Sequence, residues 1–130
     1  MIERVFILKR ADVFRDLSDD VLEQLAPHLE DVDLATGRSL FEKGDPGSAM
    51  YLVVDGRIRV HDGEREVAVL EAGSVLGEVS VLSSEERGAS ATALTDARLL
   101  RLDQEVLYEA MALSPDLSRG FIEVLLDRLG

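Results

Sequence analysis

Residues 41–60, FEKGDPGSAMYLVVDGRIRV, decide the fold that we expect for this chain. A turn-forming segment, Gly44–Gly47, precedes a β-rich run, Ala49–Val54, and a second run follows at Arg57–His61. An Asp-Gly pair at 55–56 separates the two runs, and this dipeptide supplies the positive φ angles that a tight turn requires. The stretch therefore predicts a β-hairpin made of two antiparallel strands.

Short β-rich runs separated by turn signals continue on both sides of this segment. The additional runs are Asp31–Ala35, Ser39–Lys43, Glu66–Leu70, Thr92–Leu94 and Arg98–Leu102. Many short strands at regular turn spacing are typical of a β-sandwich or a barrel. We expect the turn glycines to serve only the backbone and to have no ligand role; these are Gly44, Gly47, Gly56, Gly63 and Gly73.

Helical patterns come before the β-rich part. Residues 2–9 place Ile2, Val5, Phe6 and Lys9 at helical spacing, which predicts a short amphipathic helix. In LSDDVLEQLAPHL, residues 17–29, Ser18 is a suitable N-cap and three leucines share one face. Pro27 should kink or end this second helix.

Helical spacing returns after residue 102. Asp103 can cap a helix over 104–113, in which Val106, Leu107, Ala110 and Met111 line one side. Ser114 is the predicted N-cap of a last helix that starts at Pro115. The expected fold class is mainly β with flanking helices: one domain, with N-terminal helices in 1–30, a β body of about eight strands in 31–102 and two C-terminal helices in 103–130.

Composition narrows the classes of function. The 130 residues contain 14 Lys and Arg against 26 Asp and Glu, which gives a formal net charge of −12. Nucleic-acid surfaces reward clustered basic residues, so we expect no nucleic-acid contact through this domain. No apolar run is long enough to span a bilayer and no signal peptide is evident, so we expect no direct membrane contact and a cytoplasmic location.

The sequence contains few of the residue patterns that are typical of enzymes. There is no cysteine, and the two histidines, His28 and His61, do not lie at metal-ligand spacing, so we expect no metal site. A metal-dependent enzyme on a similar barrel needs clustered His and carboxylate ligands and is a poor alternative. No nucleophile-elbow motif occurs either. We expect no catalytic residue and no enzyme activity.

A different kind of segment interrupts the strands at residues 77–92, GEVSVLSSEERGASAT. A short helix that begins at Gly77 would direct free N–H groups outward, and such groups bind anions. Arg87 offers a planar fork of donors suited to phosphate, and Gly88 lets a ligand approach the backbone. The residue types alone leave an alternative open, in which Arg87 is a surface arginine paired with Glu85 or Glu86. Glu78 can likewise serve only as a helix-terminal carboxylate.

At these residues the chain resembles the cyclic nucleotide-binding domain family, which includes catabolite activator proteins and regulatory subunits of cyclic-AMP-dependent kinase. The phosphate-binding cassette of that family pairs a Gly-Glu-Leu-Ala-Leu-Leu segment with Arg-Ala-Ala-Thr four residues later. Residues 77–82, GEVSVL, match the first part and residues 87–90, RGAS, match the second at the same separation. The resemblance extends over almost the whole chain. It departs from the family at Glu86, where many members have proline, and at Gly88, where a larger residue is usual.

The resemblance implies a jelly-roll barrel, also called a double-stranded β-helix, and a role for each matched residue. Arg87 would pair with a cyclic phosphate, and Glu78 would accept a hydrogen bond from the ribose 2′-hydroxyl. The remaining implied ligand-binding residues are Gly77, Val79, Ser80, Gly88, Ala89 and Ser90. The implied ligand is a cyclic nucleotide, cyclic AMP or cyclic GMP, with no cofactor; the absence of a hydroxyl at Gly88 favours cyclic AMP.

The implied function is a regulatory sensor module that relays occupancy through its C-terminal helices to an effector domain in a larger protein. A contact between Leu82 and those helices, and a lid residue such as Arg128 over the base, would belong to that relay. A homodimer is also possible. The alternative is a degenerate member that binds no nucleotide and serves as an interaction domain, a hypothesis favoured by the acids at 85–86.

Overall fold

The computed structural model describes residues 2–11, 14, 15, 17–77, 81 and 85–129. For residues 2, 124, 125 and 127–129 it describes the backbone only. The described residues form a mainly β body with helices at both ends of the chain, as the sequence predicts.

The β body consists of two sheets of four antiparallel strands each within the described residues. The strands are β1 (Glu30–Leu34), β2 (Ser39–Phe41), β3 (Ala49–Asp55), β4 (Ile58–Asp62), β5 (Arg65–Leu70), β6 (Val75–Leu76), β7 (Ser90–Ala93) and β8 (Ala97–Asp103). Their order is β1-β8-β3-β6 in one sheet and β2-β7-β4-β5 in the other, the arrangement of a jelly-roll barrel. The two-residue strand β6 was not predicted because it is too short to show a period.

The predicted hairpin between β3 and β4 is wrong, although its turn forms. Gly56 has a φ of +88°, as an Asp-Gly turn requires. However, β3 pairs with β8 and β6, whereas β4 pairs with β5 and β7, so the chain passes from one sheet to the other at this turn. A Cβ at Gly56 would lie 2.7 Å from the Cα of Ala97. The glycine therefore lets the crossing segment pack directly against the start of β8.

Four α-helices with defined bounds flank the barrel within the described part of the chain: α1 (Ile2–Lys9), α2 (Asp19–Leu25), α3 (Gln104–Leu113) and α4 (Pro115–Leu129). The hydroxyl of Ser18 accepts a hydrogen bond from the Val21 amide and caps α2, as predicted. A 3-10 turn that contains Pro27 follows α2 directly, which confirms that the proline ends the regular helix. Ser114 likewise accepts from the Leu117 amide at the start of α4.

Two details of the helices differ from the sequence predictions. Phe6 is 68% exposed, because the buried stripe of α1 runs through Val5 and Leu8 instead. Asp103 stands at the N-cap position of α3 but makes no capping hydrogen bond. Its carboxylate lies 2.7 Å from the guanidinium of Arg101, and this charged partner competes with the helix for the same oxygen atoms.

The buried side chains form two separate clusters. The barrel cluster lies between the sheets and includes Val53, Ile58 and Leu99. The helical cluster packs α1, α2, α3 and α4 against the outer face of β3 and β8, and Phe14 and Phe121 meet edge to face within it at 6.0 Å. Each cluster buries enough apolar side chains to anchor the segments attached to it.

Candidate functional site

The predicted site residues meet at the end of the barrel where the turn at 42–47 faces the segment 85–90. Gly88 is exposed, Ala89 is half-buried, and Arg87 and Ser90 are buried. Gly77 lies beside Arg87. The predicted residues Glu78, Val79, Ser80 and Leu82, and the side chain of Arg128, lie outside the described residues.

The turn at residues 42–47 fixes the backbone of Arg87. The Arg87 amide donates to the Asp45 carbonyl at 2.7 Å, and the Gly44 amide donates to the Arg87 carbonyl at 2.9 Å. The turn is itself closed, since the Glu42 amide donates to the Asp45 carboxylate at 2.9 Å. Gly44 has a φ of +93°, which explains the glycine at this position. The turn thus positions the backbone of Arg87 through hydrogen bonds to its amide and carbonyl groups.

The side chain of Arg87 points into the protein and is only 5% exposed. Its Nη2 atom donates to the Ala49 carbonyl at 2.6 Å. Its Cζ atom lies 4.2 Å from the centre of the Phe41 ring and 5.9 Å from that of Tyr51. The two remaining donor atoms, Nε and Nη1, are buried and have no hydrogen-bond acceptor among the described residues.

The electrostatic setting of Arg87 favours an external anion. Among the described residues no carboxylate forms a salt bridge with it, so the surface pairing with Glu85 or Glu86 is not observed. Burial lowers the pKa of the guanidinium, while Tyr51 and Asp45 act in the opposite direction. Arginine nevertheless remains protonated in proteins. A buried cation with two unpaired donors is costly, and a bound anion would remove that cost.

Gly77 provides the space that this guanidinium occupies. Its φ is +80°, and a Cβ at this position would collide with Nη1 of Arg87 and lie 3.0 Å from the Ala49 carbonyl. The carbonyl of Gly77 accepts a hydrogen bond from the Val81 amide at 2.9 Å, the spacing of one helical turn. The rest of the predicted short helix, residues 78–80 and 82–84, lies outside the described residues. We call Gly77 and Val81 the cassette turn.

The cassette turn is fastened to the helices at Val81. Val81 is fully buried in the helical cluster. Its carbonyl accepts hydrogen bonds from Nε2 of Gln104 at 2.6 Å and from the hydroxyl of Tyr108 at 3.3 Å, both on α3. The backbone N–H of Gln104 also donates to the Ser48 carbonyl at 3.0 Å. Gln104 therefore joins α3, the cassette turn and the start of β3.

Ser90 supports the same end of the barrel. Its hydroxyl accepts a hydrogen bond from the Lys43 amide at 2.9 Å and donates to the Glu42 carboxylate at 3.4 Å. The hydroxyl is thereby engaged by the turn at 42–47. In contrast, a Cβ at Gly88 would meet nothing within 4 Å, so the protein itself leaves that side of the segment open.

The model of the cyclic nucleotide-binding domain family matches residues 31–114. The chain belongs to that family. It is 29% identical to a CRP-like cAMP-activated global transcriptional regulator of Mycobacterium tuberculosis, with 95% of the chain and 57% of the relative covered. It is 38% identical to a cyclic AMP receptor protein of Thermus thermophilus, with 81% and 55% covered.

A solved structure supports the family assignment. The N-terminal domain of a transcriptional regulator from Streptomyces coelicolor superposes with a TM-score of 0.84 at 30% identity, covering 95% of this chain and 91% of that one. The chain spans about half the length of the two curated relatives it matches. The jelly-roll architecture predicted from the family resemblance is confirmed.

Sequence reasoning missed the residues that surround the guanidinium. Phe41, Ala49 and Tyr51 are far from Arg87 along the chain and were interpreted only as strand residues. The signal in the sequence is an aromatic residue three positions before Gly44, where the turn-forming segment at 44–47 begins. The described residues contain no group of three or more His, Cys, Asp or Glu side chains that could hold a metal ion. No helix among them is long and apolar enough to cross a membrane.

Proposed function

We propose that this domain is a regulatory sensor module that binds cyclic AMP and carries out no chemical step. The observation that carries the proposal is the buried Arg87 guanidinium, whose Nε and Nη1 atoms have no acceptor among the described residues. A cyclic phosphodiester carries one negative charge and could accept from both atoms. Charge-assisted hydrogen bonds of this kind are about twice as strong as neutral ones.

The other matched residues would then complete the ligand site. Gly77 and Gly88 would let the sugar phosphate approach the backbone, since neither carries a side chain. Ala89 would contribute its backbone, and Ser90 would keep the turn at 42–47 in place through its hydroxyl. The roles of Glu78 as acceptor for the ribose hydroxyl, and of Val79 and Ser80 beside it, are proposed from the family resemblance alone.

Binding at Arg87 would require movement of the residues that cover it. Because the guanidinium is 5% exposed, an anion reaches Nε and Nη1 only if neighbouring segments shift. The cassette turn is hydrogen-bonded to α3 through Val81 and Gln104. A shift of this turn would therefore move the helix or break this hydrogen bond. A ligand that binds two such arrangements with different affinity shifts their populations. We propose that this contact starts the relay to the C-terminal helices.

Cyclic AMP is favoured over cyclic GMP on two grounds. The Mycobacterium and Thermus relatives are described as cAMP-activated and as a cyclic AMP receptor. Gly88 also lacks the side-chain hydroxyl that helps the family members that prefer cyclic GMP.

Self-association is a further part of the proposal. Ile122 and Leu126 of α4 are 55% and 60% exposed, and residues four apart share one helix face. A homodimer would cover this face. Sedimentation of the domain as a monomer at all accessible concentrations would contradict this part of the proposal.

Calorimetric titration of the intact domain with cyclic AMP and with cyclic GMP tests the proposed function. We expect saturable binding with a preference for cyclic AMP, and a higher melting temperature in its presence, because a ligand that binds only the folded state stabilises it. A preference for cyclic GMP would change the ligand assignment. Binding of neither nucleotide would overturn the sensor function and favour the interaction-domain alternative.

A further inference from the structure

The Cζ atom of the Arg87 guanidinium lies over an aromatic ring, while two of its donor atoms are left to other partners. The Cζ atom lies 4.2 Å from the centre of the Phe41 ring, well inside the range of a cation–π contact. Tyr51 extends this aromatic surface, with its ring centre 6.2 Å from that of Phe41 and an angle of 37° between the two planes. We call these two rings the aromatic platform.

The platform differs in kind from the usual partner of a buried arginine. A carboxylate would stabilise the cation by accepting from the N–H groups in the guanidinium plane, which are the groups that also bind phosphate. An aromatic ring attracts the cation through its face and takes no N–H group. In this structure only Nη2 is used, by the Ala49 carbonyl, and no described carboxylate takes the other two atoms.

The strands fix the platform independently of the ligand. Phe41 ends β2, where it is paired with Ala91 of β7, and Tyr51 lies within β3 between Leu76 of β6 and Arg101 of β8. Both rings also pack against the barrel cluster. The ring positions are therefore set by the barrel core, and the guanidinium takes its position from the rings.

We propose that Phe41 is a positioning residue for the ligand: its ring attracts the guanidinium without supplying a hydrogen-bond acceptor atom, so that Nε and Nη1 remain available to an anion. The ligand part of this inference rests on the proposed function. The positioning part does not, because it concerns the arginine in the protein alone. In this account Phe41 contributes to affinity without touching the phosphate.

The variants Phe41→Leu and Phe41→Tyr distinguish the effect of the aromatic ring from the effect of the apolar volume of the side chain. Leucine keeps apolar volume but has no aromatic face, whereas tyrosine keeps the face. Phe6→Leu is the matched control, because it makes the same change at a 68%-exposed residue of α1. The urea midpoints of all variants establish that each one is folded.

The first measurement needs no ligand. The side-chain Nε–H resonance of Arg87 is recorded by nuclear magnetic resonance and assigned by its loss in Arg87→Met. We expect a ring-current displacement that disappears in Phe41→Leu and is retained in Phe41→Tyr and Phe6→Leu. A resonance that stays in place in Phe41→Leu would overturn the positioning role, whether or not the domain binds a nucleotide.

The second measurement is calorimetric titration of the same variants with cyclic AMP. We expect Phe41→Leu to bind about tenfold more weakly, a loss between those of an exposed and a fully desolvated cation–π contact, with affinity restored in Phe41→Tyr and unchanged in Phe6→Leu. Equal affinity of Phe41→Leu and the unchanged protein would refute the contribution to binding. If the unchanged protein binds no cyclic nucleotide, the proposed function fails and the ligand part of this inference fails with it, while the resonance measurement still decides the positioning part.

Discussion

The two halves of the candidate site are attached to different parts of the molecule. The arginine half, residues 85–90, is built into the barrel: the Arg87 backbone bonds to Gly44 and Asp45, and its side chain lies on Phe41. The turn half, Gly77 and Val81, is attached to the helices at Val81, which is buried in the helical cluster and whose carbonyl is held by α3. The halves meet where the Arg87 guanidinium fills the space that Gly77 leaves.

In the function that we propose, this difference would let occupancy of the site affect the helices. A ligand bound to Arg87 alone would be held by the barrel and would leave the helices unaffected. A ligand that also contacts the turn half links the two hydrophobic clusters, and its binding free energy can then depend on the arrangement of α3. Variants at the contact between the halves should therefore have larger effects than variants on either side of it.

Gly77→Ala should have the largest effect, because it changes the contact between the halves. Alanine would be strained at a φ of +80°, and its Cβ would displace the Arg87 guanidinium. We expect the free energy of unfolding to fall by about 3 kcal/mol, as expected when backbone strain and overpacking combine. Urea denaturation measures this change.

Gly37→Ala is the control for this prediction. Gly37 has a φ of +83°, but a Cβ there would meet nothing within 4 Å, so it tests backbone strain alone. We expect a loss of about 1 kcal/mol for this variant. Equal losses in the two variants would show that the collision with Arg87 contributes nothing.

Gln104→Leu should loosen the turn half and leave the arginine half intact. The variant removes the 2.6 Å hydrogen bond to the Val81 carbonyl and a longer one, 3.1 Å, to the Tyr108 hydroxyl, while Tyr108 can still donate to the Val81 carbonyl. We expect a loss of about 1 kcal/mol, the usual net contribution of one hydrogen bond. Amide hydrogen exchange measured by nuclear magnetic resonance should become faster at Val81.

The same exchange experiment also compares the amides of the arginine half with the Val81 amide of the turn half. The Arg87 and Gly44 amides, which bond within the arginine half, should keep their rates in Gln104→Leu. Gln24→Leu makes the same change at an exposed position of α2 and should leave all three amides unaffected. Faster exchange at Arg87 and Gly44 as well would mean that the two halves are not separately attached.

Gly88→Ala should have the smallest effect on stability. No φ in the left-handed region is found for Gly88, and a Cβ there would lie in open space. We expect the free energy of unfolding to change by less than about 0.5 kcal/mol, as for other surface substitutions. A shift of the urea midpoint that corresponds to a loss of more than about 1 kcal/mol in the free energy of unfolding would show that the arginine half requires a glycine at position 88.

Local patterns in the sequence were sufficient for most elements of the fold. The cap at Ser18, the end of α2 near Pro27 and the start of α4 at Pro115 follow from residue types at fixed offsets, and the structure confirms them. Strand pairing was not predictable in the same way. The Asp-Gly turn at 55–56 is compatible with both a hairpin and a crossing between sheets, and only the packing of Gly56 against β8 decides between them.

The candidate site shows the same limit. The residue types at 77–90 and the family resemblance indicated an anion site with Arg87 at its centre, and the structure places that side chain inside the protein. The partners of the guanidinium could not be predicted, because Phe41 and Ala49 lie 46 and 38 positions before it and approach it only when the two sheets close. The burial of Arg87 is thus a property of the folded barrel and not of its own segment.

The central claim is that the unpaired edge of the Arg87 guanidinium receives the anionic group of the ligand. The most direct test is calorimetric titration of Arg87→Met with cyclic AMP, beside the unchanged protein and beside Arg38→Met as an exposed control. Loss of two charge-assisted hydrogen bonds should weaken binding by about a hundredfold or more in Arg87→Met, and the control should bind normally. Undiminished affinity in a folded Arg87→Met protein would contradict the claim.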